Sequence, residues 1–308
     1  MDGIEDTMAV AARIRALTAE QTLRSGGGYL SQACSSADIL ATLFTRILRL
    51  GPSQGPSRPG PFVGVPGHEP NNPSGGRYLG SRTPDTDRFI LSPAHYAMAL
   101  YAALICVGRL GPKALEQFNQ DGGIVEMIGA EHSPGCELTT GSFGQALSQA
   151  AGIAIARRAR GDGGLVWVFM SDGELQEGQT WEALQFLAFH RLDNVAVVVD
   201  VNGQQVDGRM TGVMGVEPLE DKVRAFGAHV LRVDAHDPAA LAAAARQGTL
   251  GMPLVILADS DPSRGLPSLR SRWPRLHYVR LASDEEREHL RTDVARLRTI
   301  TRAASAPQ

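Results

Sequence analysis

The chain has 308 residues, 43% of them hydrophobic and 20% charged, which is enough apolar mass for one large α/β domain or two small ones. Its formal charge of −3 is spread in both signs along the chain, leaving no basic stripe for nucleic acid and no like-charged tail for a partner. No apolar run approaches the ~18 residues of a membrane span. The acidic first residues lack a signal-peptide pattern. Cys34, Cys106 and Cys136 are odd in number and far apart, which fits a reducing cytoplasm better than a disulfide framework or a zinc site.

Helical apolar spacing predicts helices over residues 4–23 and 36–48. Residues 51–86 are dense in Gly, Pro, Ser and Asn and read as a long loop, either a lid or a disordered linker. Helices are predicted again at 96–109 and 143–160. From there short β-branched runs at 165–170, 195–201, 229–233 and 253–258 alternate with helical segments at 180–190, 219–226 and 238–246. Continuous apolar strands separated by helices specify a parallel sheet covered on both faces. The expectation is a single α/β domain over 1–308, with about five or more strands. Residues 259–308 read as an irregular, flexible segment ending in a charged helix at 284–298.

In such sheets ligands sit at the carboxyl ends of strands. The strand at 165–170 runs into Ser171-Asp172-Gly173-Glu174, and the strand at 195–201 into Asn202-Gly203-Gln204. Asp172 and Asn202 are thirty residues apart, about one strand–helix–strand crossover. Their oxygens therefore project from two parallel strand ends, as a hard cation requires. Gly173 lets backbone approach a phosphate, and the following helix offers N-terminal amides to the same anion. A strand ending in Asp-Gly is by itself more often a plain turn.

With these residues in place, SDGELQEGQTWEAL followed by NVAVVVDVNGQQVDG resembles the thiamine diphosphate motif in its transketolase form. The matching positions are Glu177-Gly178, Glu182-Ala183, Asp200, Asn202 and Asp207-Gly208. The segments at 37–44, 87–104 and 134–156 resemble further transketolase blocks in the right order. The resemblance implies that Asp172, Asn202 and the backbone carbonyl of Gln204 bind Mg²⁺. It also implies that Gly173 and Glu174 meet the diphosphate and that Gly141 and Gln145 line the cofactor pocket. Glu177 would support contact between cofactor sites across a dimer. His95, and His277 by a weaker alignment, would act beside the reacting carbon.

Cofactor activation in this family uses a glutamate on a second, pyrimidine-binding domain. The resemblance covers only the diphosphate-binding part. It therefore implies a partner: a C-terminal transketolase-like subunit, together forming a heterotetramer that moves a two-carbon ketol unit to an aldehyde. A decarboxylating 2-oxoacid enzyme subunit and a non-catalytic scaffold are the rival readings. The chain also departs from the family. Ser25-Gly26-Gly27 stands for S-G-H, Ala94-His95 for G-H, and Ser171 for the motif Gly; Ser263-Arg264-Gly265 is a reduced K-x-x-G-x-G. Ile128 falls where a family His is expected, with His132 the nearest substitute. The loop at 51–86 is long and brings His68. These losses point away from an ordinary sugar phosphate as substrate. His190, His229 and His236 read as structural or surface residues.

Overall fold

The structure, a computed structural model, describes residues 4–53, 58–66, 73–248 and 250–304. His68 lies outside the described residues. Helices α1 (Ile4–Ser25) and α2 (Leu30–Thr42) lead to β1 (Arg88–Leu91) and α3 (Ala97–Cys106). Then come α4 (Ala146–Arg160), β2 (Val166–Ser171), α5 (Gly178–Phe189) and β3 (Val195–Val201). The chain continues through α6 (Leu219–Ala225), β4 (His229–Asp234), α7 (Pro238–Arg246), β5 (Leu254–Asp259) and α8 (Asp284–Ala304). The five strands form one wholly parallel sheet in the order β1-β2-β3-β5-β4.

Alternation along each strand explains the layers. Phe89, Trp167, Phe169, Val198 and Ile256 pack one sheet face against α1, α2, α3 and α7. Ile90, Val168, Met170, Val197 and Leu257 pack the opposite face against α4, α5 and α6. Strands buried on both sides need unbroken apolar runs, and VAVVV in β3 supplies one.

Three expectations change. The fifth strand is the short edge β1, inside a segment read only as a motif. Helix α2 begins six residues earlier than its apolar spacing suggested. All its residues are buried, so Ser31, Gln32, Ser35 and Ser36 face protein rather than water, and no amphipathic stripe marks the start. The C-terminal segment, expected to be flexible, is packed. Leu266, Leu269, Leu276, Leu290, Val294 and Leu297 build a third core against α1. Within the long loop, Gly75–Leu79 forms a 3₁₀ turn whose Tyr78 is fully buried.

A buried polar pair ties α1 to α2. Arg15 forms an ion pair with Asp38, both nearly inaccessible, and His236 Nδ1 lies 2.6 Å from the same carboxylate. His236 Nε2 accepts the Asp261 N–H at 2.8 Å, so the ring carries its proton on Nδ1. Burial pushes the Asp38 carboxyl upward, but Arg15 and His236 outweigh it and hold the group down at about 2. Because the folded carboxyl titrates below its unfolded value, the pair's contribution is complete above about pH 4 and is lost as pH falls towards 2. Removing one partner strands a buried charge. Asp38→Ala is expected to cost about 3–5 kcal/mol in urea unfolding at pH 7, and a loss below 1 kcal/mol would contradict the buried pairing.

Candidate functional site

Strands β2 and β3 are neighbours in register, with Ser171 opposite Asp200. Asp172 and Asn202 therefore leave adjacent strand tips into one cleft, which both line together with Gly173 and Gln204. Asp172 Oδ2 accepts the Gly203 N–H at 2.8 Å, joining the two tips directly. The Asn202 oxygen accepts the Gln204 N–H at 2.9 Å, and its nitrogen donates to the Tyr96 hydroxyl at 3.0 Å and to Asp200 at 3.2 Å. A Cβ at Gly173 would stand 3.0 Å from Gln205 Oε1, so glycine keeps this part of the wall open.

The cleft floor is short of positive charge. Burial, then the neighbouring Asp200 carboxylate, pushes Asp172 up to about 8. Burial raises Asp200 too, against four hydrogen bonds that favour its charged form. Neither Lys nor Arg is among the described lining residues. Both polar atoms of the Gln204 side chain are buried without a hydrogen-bond partner. A buried carboxylate with a second one behind it, an amide oxygen and an orphaned amide suit a hard cation carrying a phosphate. Among the described residues no three His, Cys, Asp or Glu side chains gather as a metal cluster.

In the same cleft His95 and His277 come together, their ring centroids 5.4 Å apart, with His95 also against Tyr96. Tyr29 touches both at 5.2 Å and Tyr278 at 5.1 Å. Gln32 Nε2 lies 3.2 Å from His277 Nδ1. Burial, then His277, pushes His95 down to about 3, and burial lowers His277 as well. Both rings are therefore neutral near pH 7, each with one N–H donor and one lone pair.

The other expected residues lie elsewhere. Glu174 is fully buried. Its carboxylate turns away from the cleft to accept the Ser171 N–H at 3.1 Å and the Ser92 hydroxyl, closing a capping box at the turn Asp172–Gln176. Burial raises it to about 7. Gly141 and Gln145 flank Phe143, and of the three only Phe143 lines the cleft. Glu177 is exposed at the start of α5. His132 lies 3.0 Å from Glu126 and in ring contact with Phe62, bordering a separate hollow beside residues 60–64.

The departures also find physical reasons. Ser171 has φ −106° and ψ 157°, extended backbone open to any residue, so the motif glycine is not needed there. A Cβ on Gly27 would lie 2.8 Å from the Val279 carbonyl and 3.0 Å from the Tyr278 ring. The short antiparallel pairing of Gly27–Gly28 with Val279–Arg280 thus fills the place of the missing histidine. Sequence reading missed Tyr29, Gln32, Tyr96 and the role of Asp200. The Asp-x-Asn spacing at 200–202 is the one signal that pointed to any of them.

Residues 67–257 match the family model described as transketolase, thiamine diphosphate binding domain. An uncharacterized transketolase family protein of Sinorhizobium fredii is 36% identical over 286 residues, covering 91% of this chain and 92% of that protein. The 6-deoxy-6-sulfo-D-fructose transketolase subunit of a Clostridium species is 32% identical, covering 82% and 83%. Human transketolase is 28% identical over 88% of this chain, which spans 39% of it. The transketolase structure from Campylobacter jejuni superposes with a TM-score of 0.73 at 21% identity, covering 97% of this chain and 46% of that one, a likeness of fold. Among the described residues no helix is long and apolar enough to cross a membrane.

Proposed function

This chain belongs to the transketolase family and carries its thiamine diphosphate-binding domain, and from that premise we propose that it is the cofactor-binding subunit of a two-component, transketolase-like transferase. The observation that carries the reading is the meeting of Asp172 with the Asn202–Gly203 turn at adjacent strand tips. Asp172, Asn202 and the Gln204 carbonyl hold Mg²⁺. Gly173 and the amides of its turn receive the diphosphate. Gly141 and Gln145 border the pocket beside Phe143, and exposed Glu177 serves contact between sites across a dimer. Thiamine diphosphate supplies the centre that stabilises a carbanion. His95 and His277 hold hydroxyl or carbonyl oxygens of the substrate and exchange protons with them.

The subunit reading draws on two short relatives, each covered over most of its own length, one of them named a transketolase subunit. The chain spans less than half of human transketolase. The partner would be a C-terminal transketolase-like chain with the pyrimidine-binding domain, in a heterotetramer, so that each cofactor touches both chain types. A two-carbon ketol unit passes from a ketose or related donor to an aldehyde. Gly27, standing where the family has a substrate-contacting histidine, favours a donor other than a plain sugar phosphate.

Titration of thiamine diphosphate with Mg²⁺, into the chain alone and mixed with such a partner, tests this. Saturable Mg²⁺-dependent binding, with ketol transfer only in the mixture, is expected. Assembly without cofactor binding would establish a scaffold instead, and release of carbon dioxide from a 2-oxoacid would establish a decarboxylating subunit.

A further inference from the structure

The two ends of an asparagine side chain have nearly the same shape, but only the oxygen can bind a cation. Something must decide which end of Asn202 faces the cleft. Its nitrogen donates to Asp200 Oδ2 at 3.2 Å and to the Tyr96 hydroxyl at 3.0 Å, while its oxygen accepts the Gln204 N–H at 2.9 Å. Turning the amide over would set oxygen against the Asp200 carboxylate and N–H against N–H. Asp200 itself is fully buried and fixed from three directions. It accepts from Ser35 on α2 at 2.6 Å, from Tyr96 before α3 at 2.9 Å, and from Ser260 after β5. A carboxylate so held points its remaining capacity at Asn202.

We propose that Asp200 is a positioning residue that locks the Asn202 amide with its oxygen towards the cation site, with Tyr96 as the second lock. The inference rests on the cofactor reading above. Asp200 touches neither cofactor nor substrate; it acts through Asn202, as outer partners of metal ligands do. Its charge could instead attract the cation directly, so the variants must separate orientation from charge. Asp200→Asn removes the charge and one of the two acceptor oxygens. Tyr96→Phe weakens the lock and leaves the charge unchanged. The exchange Asp200→Asn with Asn202→Asp keeps the charge and leaves two equivalent oxygens at position 202, where orientation no longer matters.

Mg²⁺ is titrated at saturating thiamine diphosphate, and thermal melts check folding. Asp200→Asn is expected to weaken Mg²⁺ binding about tenfold or more, and Tyr96→Phe about threefold. The exchange variant should return to within about threefold of the parent chain. If Asp200→Asn does not fold, Tyr96→Phe and the exchange variant carry the test. Parent-like affinity in Asp200→Asn and Tyr96→Phe overturns the inference. So does a weak Asp200→Asn beside an unaffected Tyr96→Phe and an unrescued exchange, which would assign Asp200 a charge role alone. A parent chain that binds no Mg²⁺ with thiamine diphosphate overturns the cofactor reading itself, a separate and visible failure.

Discussion

Asp172→Ala is expected to abolish Mg²⁺-dependent binding of thiamine diphosphate, by about a hundredfold or more, while the protein stays folded. The reason lies in what the carboxylate does in each state. Without a cation it is a buried acid beside another buried acid, and that neighbour together with burial pushes it up to about 8. Such a group contributes little to stability. Its removal leaves the Gly203 N–H without an acceptor, a loss of about 1–3 kcal/mol, and takes a buried carboxyl out of the interior in return. With a cation the balance inverts, because Asp172 is the charged ligand of the proposed set. Asp172→Asn, which keeps an acceptor for Gly203, should melt close to the parent chain and still bind Mg²⁺ poorly. Calorimetric titration measures both variants. Full affinity in Asp172→Asn would remove the strand-tip site from consideration.

Much of this site was legible in the chain before any coordinates, and the part that was not has a common physical cause. Asp172, Gly173, Asn202, Gln204, His95 and His277 line one cleft; the first five follow the ends of parallel strands, which share one edge of the sheet, whereas His277 reaches it from the packed segment after β5. The ring cluster around the two histidines and the Asp200 network stayed hidden because they join distant segments. Ser35 and Asp200 are 165 residues apart, and Tyr96 and Asp200 are 104 apart. Nothing in local periodicity encodes such a contact. Helix α2 shows the same limit. Its polar residues serve the cleft and Asp200, so the apolar stripe that usually announces a helix is missing. Glu174, expected to meet the diphosphate, commits its carboxylate to the turn that presents Asp172 and Gly173, which leaves its main chain for such a contact. The leucines after β5 lacked regular spacing yet built a core, because their partner surface is α1, at the far end of the chain.

The imidazole of His95 separates chemistry from binding. His95→Gln, assayed in the two-chain enzyme, is expected to lower kcat about a hundredfold or more and to leave Mg²⁺ and thiamine diphosphate affinity within about threefold of the parent. The ring packs against Tyr29, Tyr96, Phe143 and His277, while Asp172 and Asn202 keep hydrogen bonds of their own, so its loss removes proton handling and leaves the proposed cation ligands in place. Replacing His277 as well should cost less than the product of the two single losses, since neighbouring rings share one task. The same residue leaves a mark on stability that needs no substrate. In the unfolded chain a histidine takes a proton near pH 6.5. In the fold, burial and then His277 delay that step to about pH 3. Between those values the unfolded state binds the extra proton. This histidine's penalty is therefore absent above about pH 6.5 and grows as pH falls towards 3. Urea unfolding from pH 7 to 4 should show a steeper loss in the parent than in His95→Gln. Equal slopes would mean that the ring is not held neutral inside the cleft, and the proton-handling role would lose its structural basis.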